Sequence, residues 1–458
     1  LYNMPVRIAL SDHIDIKKLK NSIKKTVKRH KILMSHIESD GQNLIGVYDD
    51  ATDLFFETYK NDEIDAFVRP FDLSKSPLMR IGFTEKEMLL DIHHIVSDGE
   101  TLNIILRDVL REYEGIDISD EQITYGDYAD FFYKQDMTEH ERFFKAQLKC
   151  DFEPVVLPQT KHPIKNGRSK IYRISEETVR KARKYAKKYN LTDTMLFWSA
   201  YGILLAKYSG NNSVLSSIVL KNRIYADTKD VAGMFVNTLP VYLNVDGSVE
   251  EYARRMKQLL MGLFEHQEFP LASIADTVGM ADKGVINTSF VYQADGEKHI
   301  VLDGEVIVPT VIYTDSAKFD LMMELTPCEI GMAVRMEFNC EEYDESLIDK
   351  LVDAYIRILE QLDKKNLSDI EVMSEEERHK VLEEFNDTYV EYPTEKCVHE
   401  LFVEQAAKTP DKVALVDENN RYTYRELDEK SNSLAQKLIQ LGVKTETVVG
   451  AYLDRTAY

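Results

Sequence analysis

The sequence predicts an α+β chain of two lobes, and three observations lead there. Stretches alternating with period two and stretches with three-and-four apolar spacing follow one another from the first residues. The pattern breaks at Leu157–Gly167, where Pro158, Pro163 and Gly167 oppose regular structure, and the same strand, helix, strand order then restarts. A chain of 458 residues is too long for one ordinary core and fits roughly two to four domains or lobes.

Taken in order, Met4, Val6, Ile8 and Leu10 alternate as in a half-buried strand. Residues 16–30 then read as an amphipathic helix that buries Ile16, Leu19, Ile23 and Val27 and turns the basic run Lys17–Lys31 to solvent. Leu33–Ile37 and Asn43–Tyr48 form two short strands around Ser39-Asp40-Gly41. Pro77–Phe83 and Met88–Ile92 form a hairpin through Thr84–Glu87. Leu102, Ile105, Leu106, Val109, Leu110 and Tyr113 share one helical stripe that stops at Gly115. Ser97, with Glu100 three residues on, fits a capping box at its start. A further helical stretch covers 125–148. The second lobe repeats the order with strand Lys170–Ile174, helix Ser175–Lys188, buried helix Asp193–Tyr208 and strand Val214–Leu220.

Composition narrows the class. Hydrophobic residues make up 44% and charged residues 30%, the balance of a globular chain. Lys and Arg number 57 against 79 Asp and Glu, so the net charge is 57 − 79 = −22, which opposes nucleic-acid binding. Cys150, Cys328, Cys340 and Cys397 form no CxxC pair, which argues against a zinc cluster or disulfide framework and fits a reducing, cytoplasmic setting. The most apolar helix, Met195–Tyr208, is too short to span a bilayer, so no membrane association is expected. No signal peptide is visible. The chain opens on Leu1 and closes on Val448–Tyr458 as a piece of something longer would.

The chemistry concentrates in His93-His94-Ile95-Val96-Ser97-Asp98-Gly99, between a strand end and a helix start. Backbone N–H groups at a helix start favour negative charge, and Gly99 lets a reacting group come close to the main chain. A neutral imidazole there can take a proton. Strand alternation points His93 and His94 to opposite sides, so only one can face a given substrate. Two plainer readings compete. Either histidine could be a satisfied buried residue with Asp98 a helix cap, or His93, His94 and Asp98 could ligate a metal, although adjacent diverging histidines rarely converge on one ion.

This segment resembles the HHxxxDG signature of condensation domains in nonribosomal peptide synthetases. Gly233-Met234-Phe235-Val236-Asn237-Thr238-Leu239-Pro240 is similar to a second motif of that family. His266-Gln267-Glu268-Phe269-Pro270, Asn287–Gln293, Tyr125-Gly126-Asp127-Tyr128-Ala129 and Arg69-Pro70-Phe71-Asp72-Leu73 resemble others, all in the family's order. Two departures stand out. The family's Ser-x-Ala-Gln motif would lie before Leu1, and its Arg-His-Glu segment appears as Arg29-His30-Lys31, where Lys31 reads as a surface change at a helix end. Ser368–Thr388 resembles the linker that follows such domains. Val398-His399-Glu400-Leu401-Phe402, Thr409–Leu415 and Tyr422–Leu427 resemble the beginning of an adenylation domain, without its Gly-rich phosphate loop.

The resemblance implies two chloramphenicol acetyltransferase-like lobes in a V, a first lobe at 1–160 and a second at 161–367, then a linker at 368–395 and a partial α/β adenylation start at 396–458. It implies acyl transfer, in which the amine of a downstream aminoacyl thioester attacks an upstream acyl or peptidyl thioester. The substrates would hang from 4'-phosphopantetheine arms on donor and acceptor carrier domains, with no intrinsic cofactor or metal. His94 would accept or relay the proton, Gly99 would offer its N–H to the oxyanion, and His93 and Asn237 would support the site. For Arg80 the resemblance implies a pair with Asp98, whereas a two-residue hairpin loop places Arg80 opposite Asp91; the Asp98 pair is the favoured expectation. Epimerisation, or dual condensation and epimerisation, is the alternative, and the adenylation start directly downstream favours condensation.

Overall fold

The computed structural model describes residues 2–39, 41, 44–148, 153–158, 166–280, 284–296, 300–302, 305–312, 316–417 and 420–453. They form two compact units, Leu1–Ser374 and Glu375–Tyr458.

The first unit begins with β1 (Val6–Ala9), which buries Val6 and Ile8 on one face. α1 (Ile16–Arg29) is capped by the Asp15 carboxylate, which accepts from the Lys18 N–H, and it buries Leu19, Ile23 and Val27 while Ile16 stays exposed at the open first turn. A 3-10 turn at Lys31–Met34 sinks Leu33 and Met34 into the core, so the next strand starts later than expected, at β2 (Ser35–Ser39), and pairs with β3 (Leu44–Tyr48). Asp40 of the connecting turn lies outside the described residues. β4 (Phe56–Thr58), β5 (Met79–Phe83) and β6 (Glu87–Ile92) join β1 in the order β4-β5-β6-β1. The β5–β6 hairpin turns through Glu85 and Lys86, with Phe83 opposite Met88 and Arg80 opposite Asp91.

α2 (Gly99–Glu114) leaves the end of β6, packs on α1, and stops at Gly115, whose φ of 77° suits a residue without a Cβ. The expected capping box is displaced by one residue. Asp98 is the cap, accepting from the Thr101 N–H at 2.8 Å, while the Ser97 hydroxyl turns to the Asp98 carbonyl at 3.3 Å. The stretch 125–148 is two helices, α3 (Tyr125–Phe132) and α4 (Thr138–Gln147), and Phe144 of α4 belongs to the core of the second lobe.

The second lobe runs β7 (Gly167–Ser175), α5 (Glu176–Tyr189), α6 (Asp193–Ser209), β8 (Ser213–Leu220) and β9 (Asn237–Asn244), then α7 (Val249–Glu265), α8 (Leu271–Val278) and β10 (Thr288–Tyr292). The short pair β11 (Ile300–Leu302) and β12 (Glu305–Ile307) precedes β13 (Thr310–Val311), β14 (Leu321–Cys328), β15 (Gly331–Asn339) and α9 (Glu345–Glu360). Its sheet has the order β7-β15-β14-β10-β8-β9. α6 is apolar all round and buried from Met195 to Ala206, which makes it the central helix beneath this sheet, flanked by α5, α7 and α9.

The lobes exchange backbone. β13 departs from the second lobe and pairs antiparallel with β1, Val6 opposite Val311, extending the first sheet to five strands. The break at 157–167 falls largely on residues 159–165, outside the described set.

The second unit contains α10 (Glu375–Leu382), α11 (Val398–Lys408), the antiparallel pair β16 (Val413–Val416) and β17 (Arg421–Thr423), and α12 (Tyr424–Gln440). Thr423 and Glu426 form a capping box at the start of α12. No helix among the described residues is long and apolar enough to cross a membrane.

Candidate active site at the junction of the two lobes

β6 carries five buried residues in succession, Met88 to Ile92, and delivers the chain rigidly to His93 and His94. The turn that follows is fastened by Asp98, which is fully buried. Besides capping α2, its carboxylate takes a fork from Arg223 Nη2 at 2.9 and 3.1 Å and accepts the Phe235 N–H at 3.2 Å. Arg223 in turn donates through Nη1 to the carbonyls of Thr228 and Val231 and lies over the Phe235 ring at 4.1 Å. Thr101, one turn into α2, exchanges hydrogen bonds with Gly233 in both directions, at 2.7 and 2.9 Å. A Cβ on Gly233 would come within 2.0 Å of the Tyr125 ring, whose hydroxyl donates to the Met234 carbonyl. One acidic side chain thus ties the histidine turn of the first lobe to the 223–235 loop of the second.

The expected Arg80–Asp98 pair does not form. Arg80 stands opposite Asp91 across the hairpin and pairs with it at 3.2 Å, as the loop arithmetic requires. A side chain fixed on β5 spends its donors on the nearest acceptors, and these are Asp91 and the carbonyls of Arg69 and Pro70. Its guanidinium also lies 3.7 Å over the Phe71 ring, and Phe71 meets His93 edge-on at 5.9 Å. Arg80 therefore braces the 69–71 segment and, through Phe71, His93. Burial raises the Asp91 carboxyl to about 6 even against the pull of Asn3 and Arg80.

The two histidines have different surroundings. His93 Nδ1 accepts the Ile95 N–H at 3.1 Å, a local bond that holds the ring against Phe71. His94 Nδ1 is enclosed without a partner in hydrogen-bonding geometry, and the carbonyls of His94 and Ser97 favour a proton on that ring. Burial first, and the charge of Lys318 second, hold His94 down to about 4, so it is neutral at physiological pH. Gly99 is exposed at the first helical position, with nothing within 4 Å of where a Cβ would stand. Asn237 donates to the carbonyls of Gln267 and Phe269 at 2.8 and 2.7 Å, fastening the start of β9 to the 266–270 turn. Among the described residues no three His, Cys, Asp or Glu side chains converge in a way that could hold a metal ion.

Comparison with known proteins gives the family and the fold. Residues 1–382 match the family described as Condensation domain. The chain belongs to that family. Residues 402–458 match the start of a second one, AMP-binding enzyme. Bacitracin synthase 3 of Bacillus licheniformis is 29% identical over 99% of this chain, and tyrocidine synthase 3 of Brevibacillus parabrevis is 29% identical over 100% of it. The chain spans only 8% of either relative's length. The solved structure of holo-AB3403, a four-domain nonribosomal peptide synthetase bound to AMP and glycine, superposes with a TM-score of 0.76 at 17% identity, over 97% of this chain and 37% of that one. The first condensation domain of the calcium-dependent antibiotic synthetase superposes at 0.66 and 16% identity, over 81% and 94%. The two-lobed α+β architecture is that of the condensation domains.

Arg223 of this condensation domain carries no mark in the sequence that links it to the histidine turn, since it approaches only through the fold. His30 was visible in Arg29-His30-Lys31, but not its role. It is buried, with Nδ1 at 2.6 Å from Glu121 and Nε2 at 3.0 Å from Asp108. Burial alone would lower its pKa, yet the hydrogen bonds to Asp108 and Glu121 outweigh it and the pKa is raised. Lys31 beside it is exposed, in keeping with a surface change.

Proposed function

We propose that this condensation domain forms an amide, the α-amine of a downstream carrier-bound aminoacyl thioester attacking an upstream carrier-bound acyl or peptidyl thioester and releasing its thiol. The observation that carries the reading is the family match over residues 1–382 together with a neutral histidine at the junction of the lobes. An α-amine has a reference pKa near 7.7 to 8.0, so a good fraction is already nucleophilic at neutral pH. Orientation of two tethered reactants supplies about 7 to 11 kcal/mol and weighs more than base strength. His94 Nε2 positions the amine and relays its proton, Gly99 offers its N–H to the oxyanion, and Asp98, Arg80, His93 and Asn237 hold the frame. Both substrates ride on 4'-phosphopantetheine arms of partner carrier domains, and the adenylation domain that begins near residue 396 loads the acceptor. The lobes divide as 1–160 and 161–367, with 368–395 as linker.

The test loads donor and acceptor carriers with defined substrates and follows them by intact-protein mass spectrometry. Transfer of the donor mass to the acceptor carrier, abolished by His94→Ala, is the expected result. No transfer across a range of donor and acceptor pairs, or inversion of a carrier-bound residue without amide formation, overturns the reading.

A further inference from the structure

Away from the histidine turn, α4 meets the second lobe through another pair of histidines. His140 stands in the first turn of α4, and His266 caps the end of α7, where its N–H donates to the carbonyls of Gly262 and Leu263 at 3.1 and 3.3 Å. Their Nδ1 atoms are 3.2 Å apart, the ring centroids are 5.0 Å apart, and the ring planes cross at 88°. Both residues are half-buried, so water reaches them. Aromatic neighbours hold each ring in place. His266 stacks on Phe143 at 4.3 Å, and a Cβ on Gly262 would stand 2.7 Å from the Phe143 ring, so α4 and α7 meet closely here. His140 lies nearly parallel to Phe269 at 6.4 Å, and Phe269 stacks in turn on Phe144. The turn after His266 is itself fastened by Asn237, which donates to the carbonyls of Gln267 and Phe269.

A straight N–H···N bond of this length would set the two centroids roughly 0.5 Å further apart. The ring axes are bent instead. Shared equally, the bend aims both Nδ1 atoms at one point about 2.0 Å from each, the length of a zinc–imidazole bond, at an angle of roughly 100°, close to a tetrahedral corner. We propose that His140 and His266 form a two-histidine site for a zinc-class divalent ion that clips α4 to the 266–270 turn. With both ring protons on Nε2, the two Nδ1 lone pairs are free for the ion. Imidazole nitrogens suit zinc, nickel or copper, whereas magnesium and calcium take oxygen ligands. Both ligands must be neutral to bind, and burial first, with the His140 ring second, already lowers the His266 pKa. The exposed Glu139 and Glu265, each next in sequence to one ligand, place negative charge around the ion. Among the described residues no third His, Cys, Asp or Glu completes the set, so water takes the open positions and the ion is held less tightly than in a closed four-ligand centre. The clip is structural, and it does not depend on the reaction proposed above. A bound ion stabilises the join between α4 and the turn that Asn237 fastens to β9.

The experiment titrates zinc chloride into the full chain after chelator treatment and dialysis, with magnesium chloride as the control. Heat of binding, the thermal unfolding midpoint and the imidazole NMR signals of histidine-labelled protein are read together. One zinc per chain is expected to bind with micromolar affinity, to shift the ring signals of His140 and His266, and to raise the unfolding midpoint, while magnesium does none of these. His140→Gln and His266→Gln, each checked for fold by near-ultraviolet circular dichroism, should weaken zinc binding by ~10-fold or more and abolish the midpoint shift. No binding by the wild type at millimolar zinc overturns the proposal, as does binding that leaves these two ring signals unmoved. Both of those results are read on the wild type and hold even where a variant fails to fold. Equal zinc affinity in the wild type and in a folded variant overturns it as well.

Discussion

Replacing Arg223 with alanine tests the frame of the site most directly. The side chain is 7% exposed and its partner Asp98 is 1% exposed, so neither charge is strongly screened by water. Arg223→Ala removes the fork onto Asp98 and takes one donor from each of the carbonyls of Thr228 and Val231. Asp98 keeps Thr101 N and Phe235 N, which limits the damage on its side. Breaking a buried pair from one side costs about 3 to 5 kcal/mol, and that is the expected loss. The assay is urea unfolding followed through Trp198, the one tryptophan of the chain, buried in the second lobe. A double-mutant cycle with Asp98→Ala should return a coupling of about 2 to 3 kcal/mol, whereas Arg80→Ala with Asp98→Ala should be additive to within ~0.5 kcal/mol. Arg80→Ala should couple instead to Asp91→Ala. Strong coupling of Arg80 to Asp98 with none from Arg223 would refute the reasoning.

Four further outcomes follow. His94→Ala should lower condensation ~10² to 10⁴-fold at nearly unchanged stability, measured as single-turnover amide formation, and near-full turnover by the folded variant would remove His94 from the chemistry. His93→Ala should instead lower the unfolding midpoint, because its ring packs on Phe71 and accepts from Ile95. Since His94 titrates at about 4, the pH–rate profile should show no loss attributable to this ring between pH 6 and 8, and a limb near 6.5 that vanishes in His94→Ala would contradict the neutral assignment. For His30 the folded pKa lies above the ordinary 6.5, so its stabilisation is fully present below 6.5 and is lost as pH rises through the raised value; the stability gap between wild type and His30→Leu should therefore narrow on going from pH 6 to pH 9, and a gap flat across that range would remove the charged reading of the Asp108–His30–Glu121 set.

The elements that sequence reading placed well are those whose signal is local. α1 and α2 announce themselves by apolar spacing, α6 by an apolar run too short for a membrane, and the β5–β6 register follows from a loop of two residues. Small misses have local causes too. Asp98 displaced Ser97 as the cap because a carboxylate can serve the helix start and a distant arginine together, and Ser97 is wholly buried beside it. At Leu33 and Met34 burial in a 3-10 turn looks, in sequence, the same as the first residues of a strand.

The site was half legible, and the missing half has one physical origin. His93, His94 and Gly99 could be read because a strand end and a helix start fix them within seven residues of chain. Their partners cannot be read that way, since Arg223 stands 125 residues from Asp98 and Gly233 stands 132 from Thr101. Charge alone offered several arginines for Asp98, and the hairpin supplied a nearer acid for Arg80. Register decided between them, because a guanidinium on β5 is within reach of the residue opposite it on β6 and not of the turn beyond its end. It follows that Asp98 was free to join the lobes rather than brace its own hairpin.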